Sequence, residues 1–347
     1  MVIKMEKIKV LIIDDSAVVR KILSLELSKS GDIEVIGTAP NPIIGRDKIV
    51  MLKPDVIILD VEMPEMDGLT FLEKLMKYHP MPVIILSSLA EEGGEVALKA
   101  VELGACEVLA KPGSSYSVKD MSEQLIEKVK AVSKIKKLKP IKISAVEKVE
   151  KKRNMAMIKT TNKIVAIGAS TGGTEAIRDV LTKLPAETPP MVIVQHMPAN
   201  FTKAFADRLN EICQIEVREA KNGDQLLPGT ALIAPGNKHM EVRRSGANYF
   251  VNVVDGPLIY HQRPAVENLF LSVAKYVGSN AIGVILTGMG KDGSTGMLEM
   301  KKQKAFNIAQ DEKSSIVFGM PKEAIELGAV DVVAPLEKIP ELIMKHV

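Results

Sequence analysis

The chain has 347 residues, 46% of them apolar and 26% charged, with a formal net charge of +3. That is long for one domain but ordinary for a globular protein, so two domains with self-sufficient cores are expected. No apolar run nears the ~18–20 residues of a membrane span. Cys106 and Cys213 match no metal or disulfide spacing, the first nine residues lack the apolar core of a secretion signal, and few aromatics leave no stacking surface for nucleic acid. The expectations are therefore a reducing cytoplasm, no membrane insertion and no nucleic-acid partner.

Residues 10–13 read as an apolar strand ending in Asp14 and Asp15, with Ser16 placed to cap a helix through Leu27. A strand over 33–36 and a helix over 45–52 come next, then a strand over 55–59 closing on Asp60. After a helix over 69–77, a strand over 82–86 ends in Ser87. A helix over 95–103 stops at Gly104, and a strand over 107–110 ends in Lys111. Five strand–helix units in series predict a doubly wound, flavodoxin-like parallel sheet, with ligands at the carboxyl ends of its strands.

Those ends carry Asp14, Asp15, Asp60, Ser87 and Lys111. Three gathered carboxylates repel unless a cation joins them, and an all-oxygen ligand set suits Mg²⁺. Lys111 supplies a point charge for a phosphoryl group, and Ser87 a hydroxyl. The segments IIDDS, LDVEMPEMDG, LSS and AKP resemble those of response-regulator receiver domains over roughly residues 6–130. The resemblance implies that Asp60 accepts a phosphoryl group from a chemotaxis histidine kinase. It also implies that Asp14 and Asp15, with Asp60, hold Mg²⁺, and that Ser87 and Lys111 sense the acyl phosphate. Val108 stands where many receivers carry a switch aromatic, so rotation of a Tyr or Phe cannot be assumed.

Residues 133–159 hold ten basic residues against Glu147 and Glu150, a net +8 that leaves −5 on the rest of the chain. With Pro140 and no periodicity, this segment reads as a basic linker kept extended by self-repulsion. It separates a receiver domain over 1–132 from a second domain over 160–347.

The second domain opens with a buried strand over 164–167 that breaks into Gly168-Ala169-Ser170-Thr171-Gly172-Gly173, before a helix over 175–184. Residues 168–172 fit G-x-S-x-G, a nucleophile elbow beside a helix start; an anion-binding turn fits the same residues. A strand over 191–194 ends in Gln195-His196-Met197-Pro198, and a helix over 201–212 comes after it. Shorter strands over 215–218, 231–234, 239–243 and 249–254 are expected, several of them antiparallel, around Pro228-Gly229 and Pro235-Gly236. A helix over 267–276 precedes a strand over 281–286 that ends in Thr287-Gly288-Met289-Gly290-Lys291-Asp292-Gly293. A helix over 295–302 and strands over 306–309 and 330–333 finish a Rossmann-like sheet with a β-hairpin insertion.

Three strand ends converge on Ser170, His196 and Asp292: a nucleophile, a base within reach, and an acid to orient the base. The chain order Ser, His, Asp differs from that of α/β-hydrolases. His239, His261 and His346 are the domain's other histidines, and Asp255 and Asp311 are the rival acids. Residues 288–293 also fit G-x-G-x-x-G with Asp311 eighteen residues beyond, the outline of a dinucleotide fingerprint, although Asp292 inside it repels pyrophosphate.

The segments GASTGG, QHMP, LTGMGKDG and GMP resemble the protein-glutamate methylesterases of bacterial and archaeal chemotaxis, the CheB type. The resemblance implies hydrolysis of glutamyl methyl esters, and deamidation of glutamines, on methyl-accepting chemotaxis receptors. Ser170, His196 and Asp292 carry over as catalytic residues, with oxyanion donors near Thr171 and Met289 and no cofactor for the ester reaction. A receiver-controlled transcription regulator and a nucleotide-binding effector are the alternatives. The first lacks a helix-turn-helix and a basic effector half. One chain joining both reactive edges is expected to couple them, in the simplest version through an unphosphorylated receiver that covers the esterase cleft and in the rival version through a receiver that recruits or activates.

Overall fold

Strands buried on both faces need apolar residues at every position, and this chain supplies two sets of them. The computed structural model describes residues 6–63, 66–87, 91–111, 118–135 and 162–347. It divides into two compact units, Met1–Ser144 and Ala145–Val347.

The first unit runs β1 (Ile8–Ile13), α1 (Ala17–Ser28), β2 (Ile33–Ala39), α2 (Pro42–Leu52), β3 (Val56–Asp60), α3 (Gly68–Tyr78), β4 (Val83–Ser87), α4 (Glu91–Glu102), β5 (Glu107–Ala110) and α5 (Val118–Val132). The sheet order is β2-β1-β3-β4-β5, all parallel. β3 and β4 are buried at every position, whereas edge strand β2 is buried only at its ends. Ser16 caps α1 by accepting the Val19 N–H, and Asp67 caps α3 by accepting that of Thr70 at 2.9 Å. That bond, the larger contribution, holds the Asp67 carboxyl below its usual range.

The second unit runs β6 (Ile164–Ala169), α6 (Gly173–Leu181), β7 (Met191–Gln195), α7 (Phe201–Ile212), β8 (Glu216–Glu219), β9 (Thr230–Ile233), β10 (His239–Ser245), β11 (Asn248–Val254), α8 (Val266–Tyr276), β12 (Ala281–Ile285), α9 (Ser294–Lys302), β13 (Phe306–Gln310), α10 (Met320–Glu326), β14 (Val332–Ala334) and α11 (Ile339–Lys345). Its sheet order is β14-β13-β12-β6-β7-β9-β8, again all parallel. Among the described strands only β10 and β11 are antiparallel, and they form the inserted hairpin. Of the four short strands, β8 and β9 thus join the parallel sheet and β10 and β11 alone run antiparallel. Gly229, at φ 73°, turns the chain into the start of β9 and donates its N–H to Thr188 O, so the Pro-Gly pair does not close a hairpin. The link between the strands instead pairs with β11, through Val251 N to Asp224 O and Leu226 N to Tyr249 O.

From β6 the chain winds outward through β7 to the edge strand β8, then steps back to β9 between them. It then returns through the hairpin and α8 to enter β12 on the other flank of β6. The switch point between β6 and β12 is where an open parallel sheet leaves a crevice. Helices α10 and α11 have no counterpart among the predicted elements, although Pro321 and Pro340 in their first turns are the start signal such helices carry.

Candidate active site

Ser170 lies just past β6, the strand between β12 and β7. Register places Ala169 beside Gln195 and Gly168 beside Ile285, so the next residues of all three strands share one edge. The ladder runs one step further: His196 N donates to Ala169 O at 3.2 Å, and Ser170 N to Thr287 O at 3.0 Å. Ser170, His196 and Asp292 are buried, at 5%, 6% and 2% exposure.

His196 Nε2 lies 2.7 Å from Asp292 Oδ2. The same carboxylate accepts the Val266 N–H on Oδ2 at 2.7 Å and the Glu267 N–H on Oδ1 at 2.8 Å. Asp292 therefore caps α8 while it orients the imidazole, and the positive end of that helix holds its charge. With Nε2 turned to the acid, Nδ1 is the ring nitrogen left for a proton from Ser170. The hydrogen bonds of the ring include the one to Asp292 and none to the Ser170 hydroxyl, a contact that commonly tightens only around substrate.

The serine turn is clamped from both sides. Gln195 Nε2 donates to Ser170 O at 3.0 Å. The Thr287 hydroxyl donates to Thr171 O at 2.9 Å and accepts the Val317 N–H at 2.9 Å. Gly172 begins α6 at φ 76°, which a side chain would resist. Gly288 is forced by closeness: a Cβ there would stand 2.8 Å from Ser170 Cβ and 2.3 Å from Met320 Sδ. Its carbonyl accepts the N–H groups of Gly319 and Met320, and its own N–H donates to Val317 O. The GMP segment thus buttresses the loop behind the serine. Among the described residues, no hydrogen bond within the chain uses the Thr171 or Met289 N–H, leaving both available as oxyanion donors.

Glu267 carries no sequence motif of its own. It is buried beside Asp292, and its carboxyl is raised by burial, with the Asp292 charge adding; backbone N–H groups of Gly296, Gly293 and Thr295 oppose the shift. Asp292, just before α9, caps α8, while Glu267, in the first turn of α8, is buried beside it with Oε2 lacking a hydrogen-bond partner. A carboxylate in the first helical turn is the only signal the sequence offers for it.

The rivals lie elsewhere. Asp255 pairs with Lys238 at 2.5 Å, and Asp311 accepts both the N–H and the hydroxyl of Ser314. His346 stacks on Phe306, and His239 holds the turn ahead of α8. Asp292 faces the imidazole, so the glycine-rich loop around it offers no cradle for pyrophosphate.

In the first unit, Asp14 and Asp60 are fully buried and Asp15 is exposed, their carboxylate oxygens lying within 4.8 Å of one another. Lys111 Nζ is 2.7 Å from Asp60 Oδ2 and 3.7 Å from Asp14 Oδ2. Ser87 is buried at the end of β4, its carbonyl accepting the Lys111 N–H. Arg20, which no sequence motif marks, locks the acidic turn by donating to Asp14 O and Asp15 O. Burial raises the Asp14 and Asp60 carboxyls against the pull of Lys111. Burial alone would lower Lys111, but Asp60, Asp14 and Glu62 together raise it, so it stays charged. One ammonium does not neutralise three acids, and neither Asp14 Oδ2 nor Asp60 Oδ2 receives an aligned hydrogen bond. The donor set fits a hard divalent cation. The predicted linker lies outside the described residues beyond position 135.

Comparison with known proteins places these two sites in context. Residues 165–343 match the CheB methylesterase family model, and residues 10–123 match that of the response regulator receiver domain. A protein-glutamate methylesterase/protein-glutamine glutaminase of Syntrophus aciditrophicus is 58% identical over 99% of this chain and 100% of its own length. One from Bdellovibrio bacteriovorus is 51% identical over 98% of each chain. The crystal structure of the Thermotoga maritima CheB methylesterase catalytic domain is 41% identical, covering 53% of this chain and 98% of that one, with a TM-score of 0.52.

Proposed function

The chain belongs to the CheB methylesterase family, with a receiver domain ahead of the esterase domain, and from that premise we propose how it works. It is a protein-glutamate methylesterase that also deamidates glutamine, acting on chemoreceptors in the cytoplasm, with the receiver over 1–132 and the esterase over 160–347. No helix among the described residues is long and apolar enough to cross a membrane.

Ser170 Oγ attacks the ester carbonyl while His196 takes its proton on Nδ1, then delivers that proton to the departing methoxide oxygen. Methanol leaves and an acyl-enzyme remains. Water, deprotonated by the same imidazole, attacks the acyl carbon; the Ser170–acyl bond breaks as the imidazolium returns that proton to Ser170 Oγ, and a glutamate is released. A glutamine substrate takes the same course with ammonia leaving. The Thr171 and Met289 N–H groups hold the oxyanion, a donor of this kind being worth ~2.7–4 kcal/mol in comparable sites. The observation that carries this reading is the buried 2.7 Å contact between His196 and Asp292 at the strand end next to Ser170.

In the receiver, Asp14, Asp15 and Asp60 would hold Mg²⁺, whose charge would offset the acids and an incoming phosphoryl group. Asp60 accepts that group from the chemotaxis histidine kinase, and Ser87 and Lys111 contact it. The test is methanol release from methylated receptor membranes with and without acetyl phosphate. Release that persists in Ser170→Ala overturns the catalytic assignment.

A further inference from the structure

Between β11 and α8 the chain makes a tight turn with two large side chains at its tip. Ile259 and Gln262 exchange N–H···O bonds of 3.1 and 2.9 Å, and Tyr260 and His261 between them sit at φ 49° and 60°. Turns with both central residues left-handed take Asn-Gly or its like, because larger side chains are strained there. Burial does not account for the tyrosine, which is 37% exposed. Strain kept at an exposed position motivates a search for function.

The tip is held in place. His239 Nδ1 accepts the Ala265 N–H at 3.3 Å while Nε2 donates to Pro257 O at 2.8 Å. Arg263 bridges to Asn237 Oδ1 and Gly256 O. Both stems of the turn are thereby pinned.

Facing the tip is Lys291, whose Nζ lies 5.3 Å from the centre of the Tyr260 ring. Its carbonyl accepts both the N–H and the hydroxyl of Ser294, so its backbone is fixed. The ammonium is exposed and has no carboxylate partner among the described residues. The next residue is Asp292, and two positions earlier is Met289. An unpaired cation therefore stands on the loop that carries Asp292, and an aromatic face stands opposite it on the turn ahead of α8.

We propose that Tyr260 and Lys291 form a substrate clamp, an inference that rests on the methylesterase reading. The ring packs against the aliphatic stem of the scissile glutamyl ester. Being neutral, the ester gives Lys291 no charge to pair with. The ammonium selects a second carboxylate on the same peptide, one helical turn from the ester, where i and i+4 side chains are neighbours. The enzyme thereby prefers esters flanked by acidic residues.

The test uses the full chain with Mg²⁺ and acetyl phosphate, and two helical peptides bearing one γ-methyl glutamyl ester with Glu or Lys four residues on. At low salt the acidic peptide is favoured in kcat/KM by roughly threefold or more, the scale of exposed ion pairs, and Lys291→Glu inverts the ratio. Tyr260→Gly raises KM for both peptides at least ~5-fold with kcat within about twofold. Its unfolding temperature holds or rises, because glycine takes the left-handed turn without strain. A flank ratio unchanged in Lys291→Glu, or an unchanged KM in Tyr260→Gly, overturns the clamp. Hydrolysis of receptor membranes but of neither peptide sinks the clamp and leaves the methylesterase reading standing. No methanol from either source sinks both.

Discussion

Replacing Asp292 by Asn tests the site most sharply, because its two oxygens serve three donors. Oδ2 faces His196 Nε2 and the Val266 N–H, each at 2.7 Å, and Oδ1 faces the Glu267 N–H at 2.8 Å. An amide must set its NH₂ against one group of donors. Placed at Oδ1, it meets the Glu267 N–H. Placed at Oδ2, it abandons the Val266 N–H and forces the ring to present a bare Nε2, moving the proton to Nδ1, where the base is needed. Either way the first turn of α8 loses an acceptor, about 1–3 kcal/mol, and the charge that favours a helix start, up to ~2 kcal/mol. These overlap, so ~2–4 kcal/mol is expected, or roughly 5–15 °C on the melting of a domain this size. Serine triads that lose their acid to an amide fall about 10⁴-fold in kcat. Methanol release below the variant's melting temperature separates the two effects. Asp292→Ala, which strips every acceptor, should melt lower still. Activity of Asp292→Asn within tenfold of wild type would refute the orienting role and leave Asp292 as a helix cap alone.

Ser170→Ala should abolish methanol release, by ~10⁴-fold or more, while receptor binding and melting stay near wild type; residual turnover above that level assigns the nucleophile elsewhere. Acetyl phosphate with Mg²⁺ should place one labile phosphoryl group on Asp60, lost in Asp60→Asn and on chelation, and a phosphoryl group mapped to a Ser or Thr contradicts the assignment. Glu267 titrates above its unfolded value, so the folded state binds the proton more tightly, and stability falls as pH rises from about 4.5 through the folded pKa. Glu267→Gln should therefore gain on wild type in melting temperature across that window, and a difference flat from pH 4 to 8 rules out the buried charge. Deleting residues 1–140 should raise methanol release over that of the unphosphorylated full chain by ~5–150-fold, the range of ordinary allosteric coupling; a truncated enzyme no faster excludes a covering receiver.

Much of this protein is legible along the chain. Parallel strands buried on both faces leave uninterrupted apolar runs, and covalent order fixes the residue at the end of each run. That is why Asp14, Asp60, Ser87, Lys111, Ser170 and His196 can be placed at strand ends from sequence alone, and why Ser16 reads as a cap. Tertiary structure alone decided three matters. The direction of β8 and β9 depends on pairing partners far along the chain, and a Pro-Gly pair marks a turn without saying whether it closes a hairpin. The surroundings of Asp292, already preferred in sequence to Asp255 and Asp311, come from the crossing of α8, whose N–H groups and the imidazole meet one carboxylate. Sequence places all three acids after apolar segments but cannot say which is desolvated. Gln195 and Thr287 matter through hydrogen bonds to backbone atoms of distant segments, and a backbone atom carries no residue identity for a sequence pattern to reveal.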